Sequence, residues 1–183
     1  VDDPTKLANA EIVLEKLPRR YRAVSDEGIC LLVAGKLGAL GPGAGCDGPI
    51  NKIARDVVVR ASGSSPVTLI DFKAGFEDAA RGAIVSLDYC LVVVDPTNAA
   101  VQMAAHMVRL VDEIRAGVPP ATQHLESPEL AQLAARMFRE TRIRGAEVVL
   151  NRVQDEAMER RLRGRLAEHG IVPLTALSED RAL

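Results

Sequence analysis

The sequence predicts an α/β fold built on a doubly wound, mostly parallel sheet with helices on both faces. Three observations predict it: short unbroken apolar runs, amphipathic helical stretches between them, and a core palette nearly free of aromatics. Hydrophobic residues make up 48% of the 183, aromatics only 3%, and Trp is absent, so the interior must be built from Val, Leu, Ile and Ala. Such a palette suits parallel strands, which are covered on both faces and therefore read as continuous aliphatic runs.

Four runs predict strands: "ICLLVAG" (29–35), "VTLIDF" (67–72), "YCLVVVD" (89–95) and "EVVLNRV" (147–153). A weaker fifth is "GIVPLTAL" (170–177). The stretch 98–117 places Val101, Ala104, Ala105, Val108, Val111 and Ile114 on one stripe of period 3.6, which predicts a helix. Thr97 or Asn98 can cap its start, and Gly117 with Pro119 and Pro120 can end it. A second helix is predicted from Ser127 as N-cap and Pro128 at the first helical position, with Gly145 as its stop. A third runs from Asp155 as cap to Gly170 just past its end. Strand and helix in repeated alternation imply parallel pairing through right-handed crossovers.

The formal charge of −2 gives no reason to expect capture of nucleic acid. The Arg-rich stretch "MERRLRGRLAEHG" reads most simply as a solvated helix face. No apolar run has membrane-spanning length, and no secretory leader is apparent, so no membrane partner and a cytoplasmic setting are expected. Cys30, Cys46 and Cys90 show no pairing pattern; Cys30 and Cys90 lie inside apolar runs and read as small core residues. His106, His124 and His169 have no partner at ligand spacing, so no histidine metal site is expected.

"GKLGALGPGAGCDGP" (35–49) invites a phosphate-loop reading. A Walker A loop, however, needs Ser or Thr after its lysine for Mg²⁺, and Leu37 follows Gly35-Lys36; its first glycine would fall at Cys30. The stretch is not a phosphate loop. Elsewhere, "VTLIDF" ends in Asp71, where a strand-tip carboxylate either holds Mg²⁺ or caps a turn, and Gly75 follows where a switch loop could turn. Asp95-Pro96 and Asn151-Arg152 end later strands, and doubly wound sheets gather ligands at such carboxyl ends.

These residues resemble the P-loop ATPases related to MinD and ParA, and within them the CooC type, which assist nickel insertion into carbon monoxide dehydrogenase. "LIDFKAGFEDAARG" is similar to the family's D-T-E-A-G-x-E-H-x-x-R-G element at Asp71, Ala74, Gly75, Glu77, Arg81 and Gly82. "LVVVDPT" resembles its "VVVDPS" strand, "VVLNRVQDE" its VxNRV-x-D strand, and "GIVPLTALSEDRAL" its terminal segment. The resemblance implies a P-loop NTPase-like fold, an ATP- and Mg²⁺-dependent switch ATPase, a homodimer and a metalloenzyme client. It assigns Asp71 and Gly75 to the Mg²⁺ and switch region, and Asn151, with Arg152, to the adenine; the residues alone equally allow Asn151 as a cap of the helix that follows. Asp180 falls in the segment that frames the base. The family's loop after the "LLVMG" strand carries a C-x-C pair at a metal site between subunits; Cys46 matches the first cysteine and Gly48 stands at the second. The resemblance thus gives Cys46 to Ni²⁺ or Zn²⁺ at a dimer interface, where Asp47 could add oxygen ligands; the alternative is a free cysteine in an exposed loop.

The sequence departs from the family at three places. Asp78 replaces a His, Leu177-Ser178 replaces Ile-Pro, and 118–146 carries an extra helix. "VDDPTKLA" at the start is similar to the stretch after the family's second strand, so residues 1–183 read as a single, incomplete domain lacking its N-terminal strands. The phosphate loop is then expected before Val1, and the chain as given is not expected to hydrolyse ATP. The alternative is a non-catalytic α/β interaction module derived from that family. Partitioning of DNA in the ParA manner is disfavoured, since no basic C-terminal surface is apparent.

Overall fold

The computed structural model describes residues 11–32, 56–61, 67–72, 83–118 and 128–180, in a chain that divides into two compact units, Val1–Ala74 and Gly75–Leu183. The fold is mixed α/β, with both parallel and antiparallel pairing.

In the first unit, β1 (Glu11–Val13) precedes β2 (Arg22–Val24), β3 (Cys30–Leu32) and β4 (Val58–Arg60). β1 pairs with β4 in parallel, Glu11 opposite Val58 and Val13 opposite Arg60. β2 and β3 pair antiparallel, which corrects the expectation of an interior parallel strand at 29–35. The cause is local. The Gly28 amide donates to the Ser25 carbonyl (3.0 Å), and the Ser25 amide donates to the Ile29 carbonyl (2.9 Å). Gly28 takes φ +83, a left-handed backbone that favours glycine, and a turn closed this way reverses the chain into a hairpin. The Ser25 hydroxyl, with the Glu27 amide itself, also holds the Glu27 carboxyl below its ordinary range. Leu31 is 60% exposed, so this strand is not buried on both faces. Residues 67–72, expected as a strand ending at Asp71, form none: no ladder joins them to another strand among the described residues.

The second unit carries β5 (Tyr89–Val94), α1 (Asn98–Arg115), α2 (Pro128–Arg139), β6 (Gly145–Val153), α3 (Glu156–Ala167) and β7 (Thr175–Ser178). Here the sequence expectation of parallel pairing holds: the order is β5-β6-β7, both pairs parallel, with Tyr89 opposite Gly145 and Val94 opposite Leu150. Thr97 caps α1 by accepting from the Ala100 amide at 3.1 Å, and Asp155 caps α3 by accepting from the Met158 amide at 2.7 Å. Each such bond satisfies a donor that a helix start leaves unpaired. Gly170, at φ +74, ends α3, and the next amide, of Ile171, folds back to the Leu166 carbonyl at 3.0 Å.

The stripe read from α1 packs as expected. Val101, Ala104 and Ala105 join Val94, Val148, Leu150, Leu162 and Leu166 in one cluster. Val111 and Ile114 join Ile84, Val85, Phe138 and Ile143 in a second. Both clusters draw on the same face of β5, since Val92, Val94 and Cys90 alternate inward, while Tyr89, Leu91 and Val93 are at least half exposed. Helices on both faces are therefore not what the described part of this unit shows. α2 stops at Arg139, six residues before Gly145, which corrects Gly145 as its stop. The Thr141 hydroxyl and the Arg142 amide donate to the Val85 carbonyl, and the Arg144 amide to the Asp88 carbonyl. Those bonds, with Ile143 buried, pull the chain out of the helix and straight into β6.

Leu150 is fully buried. Leu150→Ala is therefore expected to cost about 3 kcal/mol of stability through lost burial and a residual cavity. Asp155→Ala is expected to cost about 1 kcal/mol through the lost cap. Urea unfolding followed by circular dichroism measures both; a Leu150→Ala cost no larger than that of Asp155→Ala would contradict this packing.

Candidate functional site

Parallel strands deliver their carboxyl ends to one rim, and on this sheet the rim is polar. β5 leads into Asp95, whose backbone carbonyl accepts from the Thr97 amide at 2.6 Å as the chain turns into α1. β6 carries Asn151 beside it, because Val94 and Leu150 are register partners and the next residue of each strand follows. The Asn151 Nδ2 donates to Asp95 Oδ1 at 3.1 Å.

Immediately after Asn151 the ladder breaks. Arg152 has φ 55, the one left-handed non-glycine residue among those described, and the β6–β7 register shifts between Leu150 and Val153. Such a backbone costs of order 1 kcal/mol and persists only where neighbours fix it. Glu179 does so from beyond β7. Its amide donates to the Val153 carbonyl at 3.0 Å, and its carboxylate accepts from Arg152 at 3.1 Å and from Gln154 at 2.8 Å. Two carboxylate oxygens thus hold both residues that flank Val153. Asp155 then opens α3.

Carboxylates follow these strand ends in the chain, Asp95, Asp155, Glu179 and Asp180, of which Glu179 pairs with Arg152. A shallow cavity of about 220 Å³ adjoins the rim, lined by Pro96, Thr97, Asn98, Met158, Arg161, Leu162 and Arg165. A larger open groove of about 670 Å³ lies between the second half of α1 and the α3–β7 connection, and none of the rim residues line it. Size favours the groove, but the convergent polar side chains and the irregular backbone are at the rim, so the rim is the candidate site.

Of the residues singled out in the sequence, Asn151, Arg152 and Asp180 are brought to this rim. Asp71 is exposed and belongs to the other unit. Gly75 and Cys46 lie outside the described residues. Cys90 is partly buried against the second core cluster, and burial pushes its thiol up, which disfavours the thiolate that metal binding or nucleophilic attack requires. Among the described residues no group of three or more His, Cys, Asp or Glu gathers as a metal ligand set, and no helix is long and apolar enough to cross a membrane. Arg163, in the Arg-rich stretch of α3, pairs with Glu159 at 2.7 Å and donates to the Pro173 carbonyl at 3.1 Å, so it ties the helix to the segment entering β7. Sequence reasoning did not single out Glu179, whose role depends on the left turn at Arg152; its only signal was its place beside Asp180.

Comparison with known proteins adds no relative: no family model matches the chain, and neither a curated protein nor a solved structure matches it.

Glu179→Ala should leave global stability within about 1 kcal/mol, since Arg152 is largely exposed. It should, however, speed hydrogen exchange of the amides at 152–154 and 178–180. Unchanged exchange there would show that Glu179 does not hold the irregular end of β6.

Proposed function

We propose that the chain is a nucleotide-dependent switch protein of the CooC/MinD class acting in metalloenzyme or metallocluster maturation, with ATP and Mg²⁺ as its ligands, a homodimer as its working form and the β5–β7 rim as its base-binding end. The observation that carries this reading is Asn151, half-buried at a strand's carboxyl end and paired with Asp95 on the neighbouring strand. Strand ends are where ligands of such sheets gather. An Asn amide offers the donor–acceptor pair that an adenine edge matches.

The charge of the rim bears on which part of the nucleotide it takes. Beside Asn151 carboxylates outnumber Arg152, which suits a neutral heterocycle, while the adjoining cavity carries Arg161 and Arg165. Asp71 and Gly75 are the residues that the sequence resemblance gives to Mg²⁺ and to the switch. Cys46 is the residue it gives to Ni²⁺ or Zn²⁺ between subunits. The second reading, a non-catalytic α/β interaction module derived from that family, is favoured by one observation: Leu37 stands after Gly35-Lys36 where a Mg²⁺-binding hydroxyl is required.

Titration with Mg-ATP, followed through backbone amide NMR, separates the two. The switch reading expects saturable shifts at 95–97, 151–154 and 178–180, without turnover by this chain. Shifts scattered over both units, or none at millimolar nucleotide, would leave the interaction module.

A further inference from the structure

We propose that the cavity between the start of α1 and α3 is an anion site, in which Arg161 and Arg165 together hold a doubly charged phosphate group, free or carried as a phosphomonoester. The site is independent of the base reading, since neither Asn151 nor Asp95 lines this cavity.

α3 carries four arginines, and the helix itself neutralises two of them. Arg160 pairs with Glu156 at 3.3 Å and Arg163 with Glu159 at 2.7 Å, each one turn back along the helix. One turn back from Arg161 stands Ala157, and one turn back from Arg165 stands Arg161. Neither of these two makes an ion pair or a hydrogen bond among the described residues. They are instead neighbours on one face, and like charges at this spacing destabilise a helix. Arg165 is also half-buried, where an uncompensated charge costs more than at an open surface. Glu168, the next acid along the chain, lines the larger groove instead. The helix thus gathers two positive charges in one place and supplies no counterion for them.

That place is concave. Both arginines line the cavity of about 220 Å³, and no carboxylate is among its lining residues. Leu162 is buried and Met158 half-buried, so part of the wall is apolar, which strengthens a charge contact by keeping water away. Asn98 adds a side-chain amide that makes no hydrogen bond among the described residues. The volume lies below the roughly 300–1,000 Å³ of pockets for drug-sized ligands, which leaves room for a phosphate group and not for a whole nucleotide. A guanidinium presents a planar fork of donors that meets phosphate oxygens in pairs. Two guanidiniums with no acid in the wall carry two charges. A phosphate group, close to doubly negative near neutral pH, balances both, and a carboxylate balances only one.

The full chain is titrated with inorganic phosphate, O-phosphoserine and acetate at constant ionic strength, followed by amide and arginine side-chain NMR. Both phosphates should give saturable shifts at 96–98, at 158–165 and at the Nε–H groups of Arg161 and Arg165. Acetate should bind at least about tenfold more weakly. Phosphoserine binding at least as tightly as inorganic phosphate identifies a phosphomonoester as the occupant, and weaker binding identifies the free anion. Arg161→Gln and Arg165→Gln should each weaken phosphate binding by about tenfold, the loss of one charged hydrogen-bonding partner. Arg160→Gln, which removes the same charge from a paired position, should change it by less than about twofold. Phosphate should also raise the thermal midpoint of the wild type and not that of the Arg161→Gln/Arg165→Gln double variant. No saturable shift at these positions, acetate binding equal to phosphate, or a loss in Arg160→Gln matching that in Arg161→Gln would overturn the proposal.

Discussion

The parallel pairing of β5 with β6 is the constraint on which the second unit depends. Its six register pairs run from Tyr89–Gly145 to Val94–Leu150, and the inward side chains of both strands are the floor on which α1 and α3 pack. Val94, Leu150, Val101 and Leu166 are fully buried there, so a slip of one residue would turn each strand's aliphatic set away from both helices. Because the two strands run the same way, their carboxyl ends emerge side by side. The Asp95–Asn151 contact is a consequence of that register: packing places the polar pair, and the pair adds little to packing.

The end of β6 shows the opposite relation, in which polar groups shape the backbone. Arg152 leaves the regular ladder with a left-handed backbone, and Glu179 fastens the departure through its amide and its carboxylate. Backbone strain of this kind concentrates where a side chain must be aimed instead of packed. Here it ends the strand directly after Asn151 and sends the chain into the Asp155 cap of α3. The rim is thereby formed by three strand ends and two helix starts, all drawn from one contiguous stretch, residues 89–180.

Much of this unit was legible because the signals were local. Thr97, Asp155 and Gly170 cap helices through bonds to residues within four positions, and the stripe from Val101 to Ile114 has only one way to face a sheet. The stop of α2 was not legible, since it depends on the Val85 and Asp88 carbonyls more than fifty residues away. At 25–32 the difficulty was different: the apolar run spoke for a buried parallel strand, while the turn at Ser25–Gly28 spoke for a hairpin, and the turn prevailed. Strands of three residues such as β1 and β4 have too few positions to show any period. Of the site, Asn151 and Arg152 were visible through motif resemblance and Asp95 as a strand end. Their mutual contact and the hold of Glu179 needed the register.

Native-state hydrogen exchange decides whether the β5–β6 ladder is the anchored element from which the rim projects. The amides of Val92, Val94, Val148 and Leu150 are expected to exchange most slowly among the described residues, and only through global unfolding of their unit. Exchange of these amides as fast as that of the 22–32 hairpin would contradict it.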